Sequence, residues 1–283
     1  MRIVSLLPAT TEILFALGAG EDIVGVTFEC DHPAQARAWR VVSTSALPEG
    51  LTPSEIDDFV TTALGRGEDL YHLDEGALAG VDADLVVTQD LCAVCALDVS
   101  VVEDALAHLG CTAAVLTVDP HTLDEVLDSV LVLGKATGHE AESATMVAGL
   151  RARVDAVVRR VAGLPRPRVM LLEWTDPPFA PGHWIPEMVE LAGGEPVLGR
   201  AGEKSRRVGW DDVHAADPDV IVVAPCGYDR PGAQALADDL VSSGRLPVVP
   251  VHAVDANASW ARPGPRLIDG IEELAALLHP PNP

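Results

Sequence analysis

HEAESATMVAGLRARVDAVVRRVAG, residues 139–163, is the stretch that decides the fold. It has no proline and one interior glycine, Gly149, and its apolar residues recur at helical spacing. These residues are Val147, Leu150, Val154, Val157, Val158 and Val161. A helix of this length spans roughly 37 Å at about 1.5 Å per residue, and the prolines of Leu164-Pro165-Arg166-Pro167 end it. The stretch therefore predicts one long, rigid helix that joins two parts of the chain.

Short apolar segments alternate with amphipathic segments on both sides of this helix. The predicted strands cover 2–7, 23–28, 41–44, 84–89 and 112–118, then 168–173, 196–198, 219–224 and 248–254. The predicted helices cover 10–20, 53–64, 74–79, 99–109 and 121–137, then 184–193, 210–216, 232–243 and 264–278. Such alternation is typical of parallel sheets built from βαβ units. We therefore predict an α/β protein with two Rossmann-like lobes, 1–138 and 164–283, bridged by the helix 139–163 and separated by a ligand cleft.

Composition narrows the class of partner. The 283 residues include 43 acidic and 19 basic side chains, a formal net charge of −24, and such a surface repels nucleic acids and anionic membranes. No apolar run is long enough for membrane insertion. The first residues resemble a strand rather than a signal peptide. We therefore expect a monomer in the cytoplasm, with an extracytoplasmic location as the alternative if a signal has been removed.

Six short motifs along the chain indicate a family. They are SLLPATTEIL (5–14), VGVTFECDHP (24–33), ADLVVT (83–88), AGGE (192–195), DPDVIVV (217–223) and RPGPR (262–266). In type and order they resemble the substrate-binding proteins of cobalamin and iron-chelate ABC transporters, in which one long helix joins two lobes. The resemblance implies a binding protein that holds cobalamin, a related corrinoid or another metal chelate between its lobes. It also implies an ABC permease as partner if the protein is exported.

Candidate ligand-binding residues follow the predicted strands, because ligands of open α/β sheets bind at the carboxyl ends of the strands. In the first half they are Pro8, Phe28, Glu29, Cys30, Asp90 and Cys92. In the second half they are Glu173, Trp174, His183, Trp184, Cys226, Tyr228, Asn257, Trp260 and Arg262. The matching turn of the family supports Phe28 to Cys30, and a matching segment supports Asn257 to Arg262. The aromatic side chains predict a flat apolar wall suited to a macrocycle, and His183 could ligate a cobalt or iron centre or lie in solvent.

Four of the five cysteines also follow predicted strands: Cys30, Cys92, Cys95 and Cys226. The pair Cys92 and Cys95 forms a C-x-x-C, which could bind zinc, form a redox disulfide or pack under a helix. A zinc site needs about four ligands, and Cys30 and His32 could supply the other two. This predicts Cys30, His32, Cys92 and Cys95 as metal ligands.

The alternative function is a cytoplasmic enzyme or metal-binding protein that uses the cysteines as nucleophile or metal ligands. In that case Glu29, Asp90 or His32 would serve as the base. The sequence has no G-x-x-x-x-G-K-[ST], G-x-S-x-G or H-E-x-x-H motif, and no G-x-G-x-x-G follows the first strand. This argues against nucleotide hydrolysis, standard hydrolase chemistry and dinucleotide redox chemistry. We therefore favour binding over catalysis.

Overall fold

A computed structural model of the protein describes residues 1–68, 70–73, 78, 80–89, 102 and 112–280. The chain divides into two compact units. Unit 1 comprises Met1–Pro120 and Asp128–Thr145, and unit 2 comprises His121–Leu127 and Met146–Pro283. Within the described part of the chain, no helix is both long and apolar enough to cross a membrane.

Unit 1 contains a parallel four-stranded sheet and a small antiparallel pair. Its strands are β1 (Ile3–Ser5), β2 (Ile23–Val26), β3 (Ser43–Ser45), β4 (Tyr71–Leu73), β5 (Leu85–Thr88) and β6 (Ala114–Thr117). The order of the main sheet is β2-β1-β5-β6, and β3 pairs with β4. Buried apolar residues such as Val4 and Val86, both fully buried, place the core of the unit on this sheet.

The helices of unit 1 begin and end at residues with the expected capping chemistry. Helix α1 (Pro8–Leu17) has proline in its first turn and ends at Gly18, whose φ of 92° favours glycine. Helix α2 (Pro53–Gly65) begins with a capping box between Thr52 and Glu55. Two short 3₁₀ helices, Gly20–Asp22 and Ala34–Ala38, complete the described part of the unit before α2.

Two helices, α3 (Leu123–Thr137) and α4 (Glu140–Val161), each contribute residues to both units. The predicted helices 121–137 and 139–163 are therefore confirmed as elements. The division between the units falls inside α3 and α4, whereas the sequence suggested boundaries at 138 and 163. One reason is that the backbone N–H of Leu123 donates to the Glu187 carboxylate at 2.7 Å, which ties the start of α3 to unit 2.

Unit 2 repeats the architecture with a second parallel sheet. Its strands are β7 (Arg168–Leu172), β8 (Trp174–Thr175), β9 (Pro178–Ala180), β10 (Glu195–Pro196), β11 (Arg206–Arg207), β12 (Val220–Val223) and β13 (Val251–Ala253). Its helices are α5 (Ile185–Leu191), α6 (Trp210–Ala215), α7 (Arg230–Ser243), α8 (Ala256–Ser259) and α9 (Leu267–Leu278). The main sheet has the order β10-β7-β12-β13, and β11, β9 and β8 form a small antiparallel sheet. The centre of the main sheet is fully buried, at Met170, Leu172, Ile221 and Val223.

The predicted α/β class with mostly parallel sheets is confirmed. The sequence pattern did not indicate β4, β8, β9 or β11. These strands have two or three residues and do not lie within a longer apolar run, as the equally short β1 and β13 do. Strand 196–198 was predicted slightly late, since the pairing strand is Glu195–Pro196. The predicted helices 74–79 and 99–109 lie, except for residues 78 and 102, outside the described residues.

Candidate ligand-binding surfaces

Three side chains form an aromatic and acidic surface on unit 1. The rings of Phe28 and Tyr71 stack with centroids 5.4 Å apart and planes at 23°. The Tyr71 hydroxyl donates to Oε1 of Glu29 at 2.8 Å. Phe28 is 41% exposed, so its outer face is open to a ligand. Phe28 and Glu29 were predicted as site residues, and Tyr71 was not.

Cys30 lies beneath this surface rather than on it. Its side chain is buried, and its Sγ lies 3.1 Å from the Thr11 hydroxyl and 3.3 Å from the Thr27 hydroxyl. The expectation that Cys30 offers its thiol to a ligand is thereby corrected, because the thiol is enclosed by hydroxyls of the same unit. Pro8, another predicted residue, is half-buried in the first turn of α1.

On unit 2, a second aromatic surface forms where β7 and β12 end. The backbone N–H of Cys226 donates to the Glu173 carbonyl at 3.1 Å, which holds the two strand ends side by side. The rings of Trp174 and Tyr228 meet with centroids 5.9 Å apart at 60°. Asn257 joins them, since its N–H donates to the Tyr228 carbonyl at 3.2 Å. All of these residues were predicted for the site, and the structure brings them together.

The side chains of this surface differ in how far they are buried. Tyr228 is half-buried, and this burial raises the pKa of its phenol. The Cys226 thiol is free and exposed. Arg262, also predicted, is half-buried, and its carbonyl accepts the Gly264 N–H at 2.8 Å.

Trp184 and Trp260 differ from the prediction, because both are buried in unit 2. Trp184 is 4% exposed, and its indole N–H donates to the Trp260 carbonyl at 2.8 Å. Trp260 is fully buried, and no described residue pairs with its indole nitrogen. The two rings lie in the interior of unit 2 and offer no face to a ligand. A tryptophan in a loop gives no local signal of which way it points, so the sequence could not separate these two from Trp174.

Glu173 holds a loop rather than presenting a free carboxylate. Its Oε1 accepts the Gly182 N–H at 3.0 Å, and its Oε2 accepts the Ser205 hydroxyl. Both oxygens therefore have partners within unit 2. Glu173 therefore supports this loop, and its predicted contact with a ligand stays a prediction.

The loop that Glu173 holds presents His183. The backbone N–H of His183 donates to the Glu203 carbonyl at 2.6 Å, and its φ is 49°. Its ring lies 5.9 Å from that of His121 and 5.6 Å from that of Trp184, centroid to centroid. Burial, followed by the charges of His121 and Lys204, lowers the pKa of His183, so the imidazole is neutral over a wider pH range. Its Nε2 is buried, and no partner for it occurs among the described residues.

The structure leaves the predicted zinc site without support. Asp90, Cys92 and Cys95 lie outside the described residues. His32 is exposed and Cys30 is buried. In the part of the chain that the structure describes, no group of three or more His, Cys, Asp or Glu side chains could hold a metal ion.

Residues that sequence reasoning missed are those whose role depends on a distant partner. Tyr71 reaches Glu29 across 42 positions of the chain, and Ser205 reaches Glu173 across 32. The only local signal for Tyr71 is an aromatic residue in a short alternating segment, which is also typical of a core position.

Comparison with known proteins agrees with this architecture. The sequence profile of the periplasmic binding protein family matches residues 3–246. A vitamin B12-binding protein of Yersinia pestis (strain Pestoides F) is 25% identical over 282 residues, covering 96% of this chain and 84% of the relative.

Two solved structures have the same fold. The periplasmic heme-binding protein RhuT from Roseiflexus sp. RS-1 has a TM-score of 0.70 at 21% identity, covering 97% of this chain and 96% of that one. The periplasmic vitamin B12-binding protein BtuF of Vibrio cholerae has a TM-score of 0.64 at 21% identity, covering 98% and 96%. With a family profile that spans most of its length and a fold shared along almost the whole chain, the protein belongs to the periplasmic binding protein family.

Proposed function

We propose that this protein binds a metal chelate, with cobalamin or a related corrinoid as the first candidate and heme or an iron chelate as the second. The observation that carries the proposal is an accessible aromatic pair at strand ends of each unit, Phe28 with Tyr71 and Trp174 with Tyr228. Aromatic faces contribute large apolar contact to a flat ligand and leave polar groups at the edge for hydrogen bonds.

The named relatives support this choice of ligand. The Yersinia pestis relative is a vitamin B12-binding protein. A structure of an ABC-type Fe3+-hydroxamate transport system from Saccharomonospora viridis has a TM-score of 0.66 at 22% identity and covers 98% of this chain and 93% of that one. These ligands share a bulky organic framework around one metal ion.

Each candidate side chain has a role in this proposal. In each unit, the aromatic pair offers a flat apolar face to the framework of a ligand. Glu29 on unit 1, and Asn257 and Arg262 on unit 2, offer polar groups to the edge of a ligand. His183 stays a predicted ligand contact, although its Nε2 is buried. Trp184 and Trp260 are buried in unit 2, Cys30 is enclosed in unit 1, and Glu173 holds the loop at Gly182.

The same relatives support a proposal for the location and the partner. The structures from Roseiflexus and Vibrio cholerae are described as periplasmic. This supports the extracytoplasmic alternative over the cytoplasmic location that the sequence suggested. We propose an ABC permease as the partner that accepts the ligand.

Absorbance titration with hydroxocobalamin, hemin and a ferric hydroxamate tests the proposal. We expect binding of hydroxocobalamin with a Kd in the micromolar range or below, about −8 kcal/mol or stronger. Absence of saturable binding of all three chelates at about 10 μM protein would overturn it.

Two tryptophan variants make the titration specific to the unit 2 surface. Trp174→Ala should weaken binding by about tenfold or more, because a stacked aromatic face is lost. Trp39→Ala is the matched control, since Trp39 is half-buried on unit 1 and lies outside both surfaces. Equal loss in the two variants would show that stability, not contact with the ligand, had changed.

A thiol or zinc function is the second hypothesis from the sequence. Cys30 is enclosed by Thr11 and Thr27, which argues against its use as a nucleophile, whereas the Cys226 thiol is exposed. The ligation of zinc by Cys30, His32, Cys92 and Cys95 stays a prediction. Metal analysis of protein purified without chelator would address it.

A further inference from the structure

Unit 2 has a groove that none of the candidate ligand-binding residues lines. Its volume is about 690 Å³, and its walls come from the start of α3, the second half of α4, the segment 162–166 and α5. All of its lining residues belong to unit 2. A groove between three helices can accept a further helix, because the side-chain ridges of that helix can pack between those of the three.

The floor of the groove is apolar and partly uncovered. Helix α4 buries one stripe of apolar residues, for example Leu150 and Val157, in the protein. A neighbouring stripe, with Val154 and Val158, faces the groove. Val158 is 40% exposed, and Leu164 beside it is 43% exposed. Covering these two side chains would remove apolar surface from water, which favours association.

The side chains that line the groove include four acids and two arginines, so the groove carries a net negative formal charge. Arg151 pairs with Asp124 at 3.5 Å, and Arg166 donates to the Gly194 carbonyl at 2.7 Å. Asp155 and Glu190 also line the groove and are exposed, and the carboxylate of neither has an ion pair or hydrogen bond with any described residue.

We propose that this groove docks an amphipathic helix of a partner protein that carries lysine or arginine on its polar face. The apolar stripe of such a helix would cover Val158 and Leu164, and its cations would pair with Asp155 and Glu190. A second copy of this chain fits poorly, because it would bring a further net charge of −24 against the same acids. The charge of the groove and of the whole chain therefore selects a basic partner.

Fluorescence anisotropy with a labelled peptide tests the proposal. The probe is a helix of about 18 residues made of leucine and lysine, with leucine at i, i+3, i+4 and i+7 spacing. Reference peptides have glutamate in place of lysine, or the same composition in scrambled order. We expect micromolar, saturable binding of the amphipathic lysine peptide, and binding at least about tenfold weaker for both references.

Variants with matched controls locate the binding. The double variant Val158→Asp/Leu164→Asp should weaken binding about tenfold or more, because it places charge on the floor. Its control is Val132→Asp/Val241→Asp, which alters two valines that are 45% and 55% exposed and lie outside the groove. Circular dichroism and the thermal midpoint establish that both variants are folded.

A second pair of variants tests the charge. Asp155→Asn/Glu190→Gln should weaken binding severalfold and reduce its dependence on salt, because the paired cations lose their partners. Glu142→Gln/Asp239→Asn removes two exposed acids elsewhere and should change binding less than about twofold. Equal loss in groove and control variants would overturn the proposal, since it would show adsorption to an acidic surface. Sedimentation that shows a dimer lost in Val158→Asp/Leu164→Asp would also overturn it, in favour of a second copy.

Discussion

At the scale of single residues, Tyr71 shows how the unit 1 surface is organised. One side chain stacks on Phe28 and donates to Glu29, so it fixes an apolar face and a carboxylate at the same time. A rigid arrangement of this kind lowers the entropy lost when a ligand binds.

Tyr71→Phe should keep the stack and lose the hydrogen bond. We expect a loss of about 0.5–1.5 kcal/mol in the free energy of unfolding and a severalfold weaker affinity for the chelate, because Glu29 is no longer held. Urea denaturation and absorbance titration measure the two effects. His72→Ala, at an exposed position on the same strand, is the control. Unchanged affinity in Tyr71→Phe would show that Glu29 needs no positioning.

Gly182 and Gly149 differ in the space available for a side chain, and this difference gives a second prediction. A Cβ at Gly182 would overlap the backbone of Glu203 and Ser205, whereas a Cβ at Gly149 would meet nothing within 4 Å. Gly182→Ala should cost about 1–3 kcal/mol of stability and displace His183. Gly149→Ala should add about 0.5–1 kcal/mol, because alanine favours the helix. Urea denaturation of both variants checks the opposite signs, and a loss of stability in both would contradict the prediction.

The sequence predicted a residue of the unit 2 surface correctly only where its position directly after a strand was enough to place it there. Trp174, Cys226 and Tyr228 follow strands, and strand ends meet at one edge of a parallel sheet. Trp184 and Trp260 were also predicted as ligand-binding residues, yet both are buried in the core of unit 2. Burial of a loop side chain is decided by the neighbours that fold over it, and those neighbours come from distant segments.

At the scale of elements, α4 is fixed to α9 by Arg153. Its guanidinium donates to both carboxylate oxygens of Glu272, at 2.9 and 2.7 Å, and to Asp269 at 2.5 Å. The hydrogen bonds from Arg153 lower the pKa of Glu272, and they raise that of Arg153 itself. This contact joins helices that are more than 100 positions apart in the sequence.

Arg153→Met should remove this contact and keep the apolar part of the side chain. Since the groups are about 40% exposed, solvent screening limits the expected loss to about 0.5–1 kcal/mol. The folded pKa of Glu272 lies below its unfolded pKa, so the stabilisation is present above about pH 4.3. It is lost as the pH falls through the folded value, and the difference between wild type and variant should shrink toward acid.

Thermal midpoints between about pH 7 and pH 3 measure this difference. Arg159→Met is the control, because Arg159 lies on the same helix, is exposed and forms no ion pair with a described residue. A difference between wild type and Arg153→Met that stays constant with pH would contradict the assignment to Glu272.

The helices and longer strands followed from the sequence because their patterns are local. The stretch 139–163 predicted α4 within two residues at each end, since its apolar residues recur every three to four positions. The sheet of β8, β9 and β11 has no such pattern, because it exists through pairing between residues 174–180 and 206–207.

At the scale of the whole molecule, charge and family constrain function together. A net charge of −24 disfavours binding to nucleic acid phosphates and favours basic protein surfaces. The family profile covers residues 3–246, so both units belong to the shared architecture.

The sequence by itself determined the α/β class, the long helix, the family and the strand ends that carry the candidate residues. These properties depend on periodicity, on capping and turn residues, and on motifs that are short and local. Only the tertiary structure decided which of the tryptophans face outward, that Glu173 holds a loop, that Cys30 is enclosed, and that Tyr71 joins the surface. Each of these depends on contacts between residues far apart in the chain. The close packing of the folded protein selects those contacts, and no local sequence pattern encodes them.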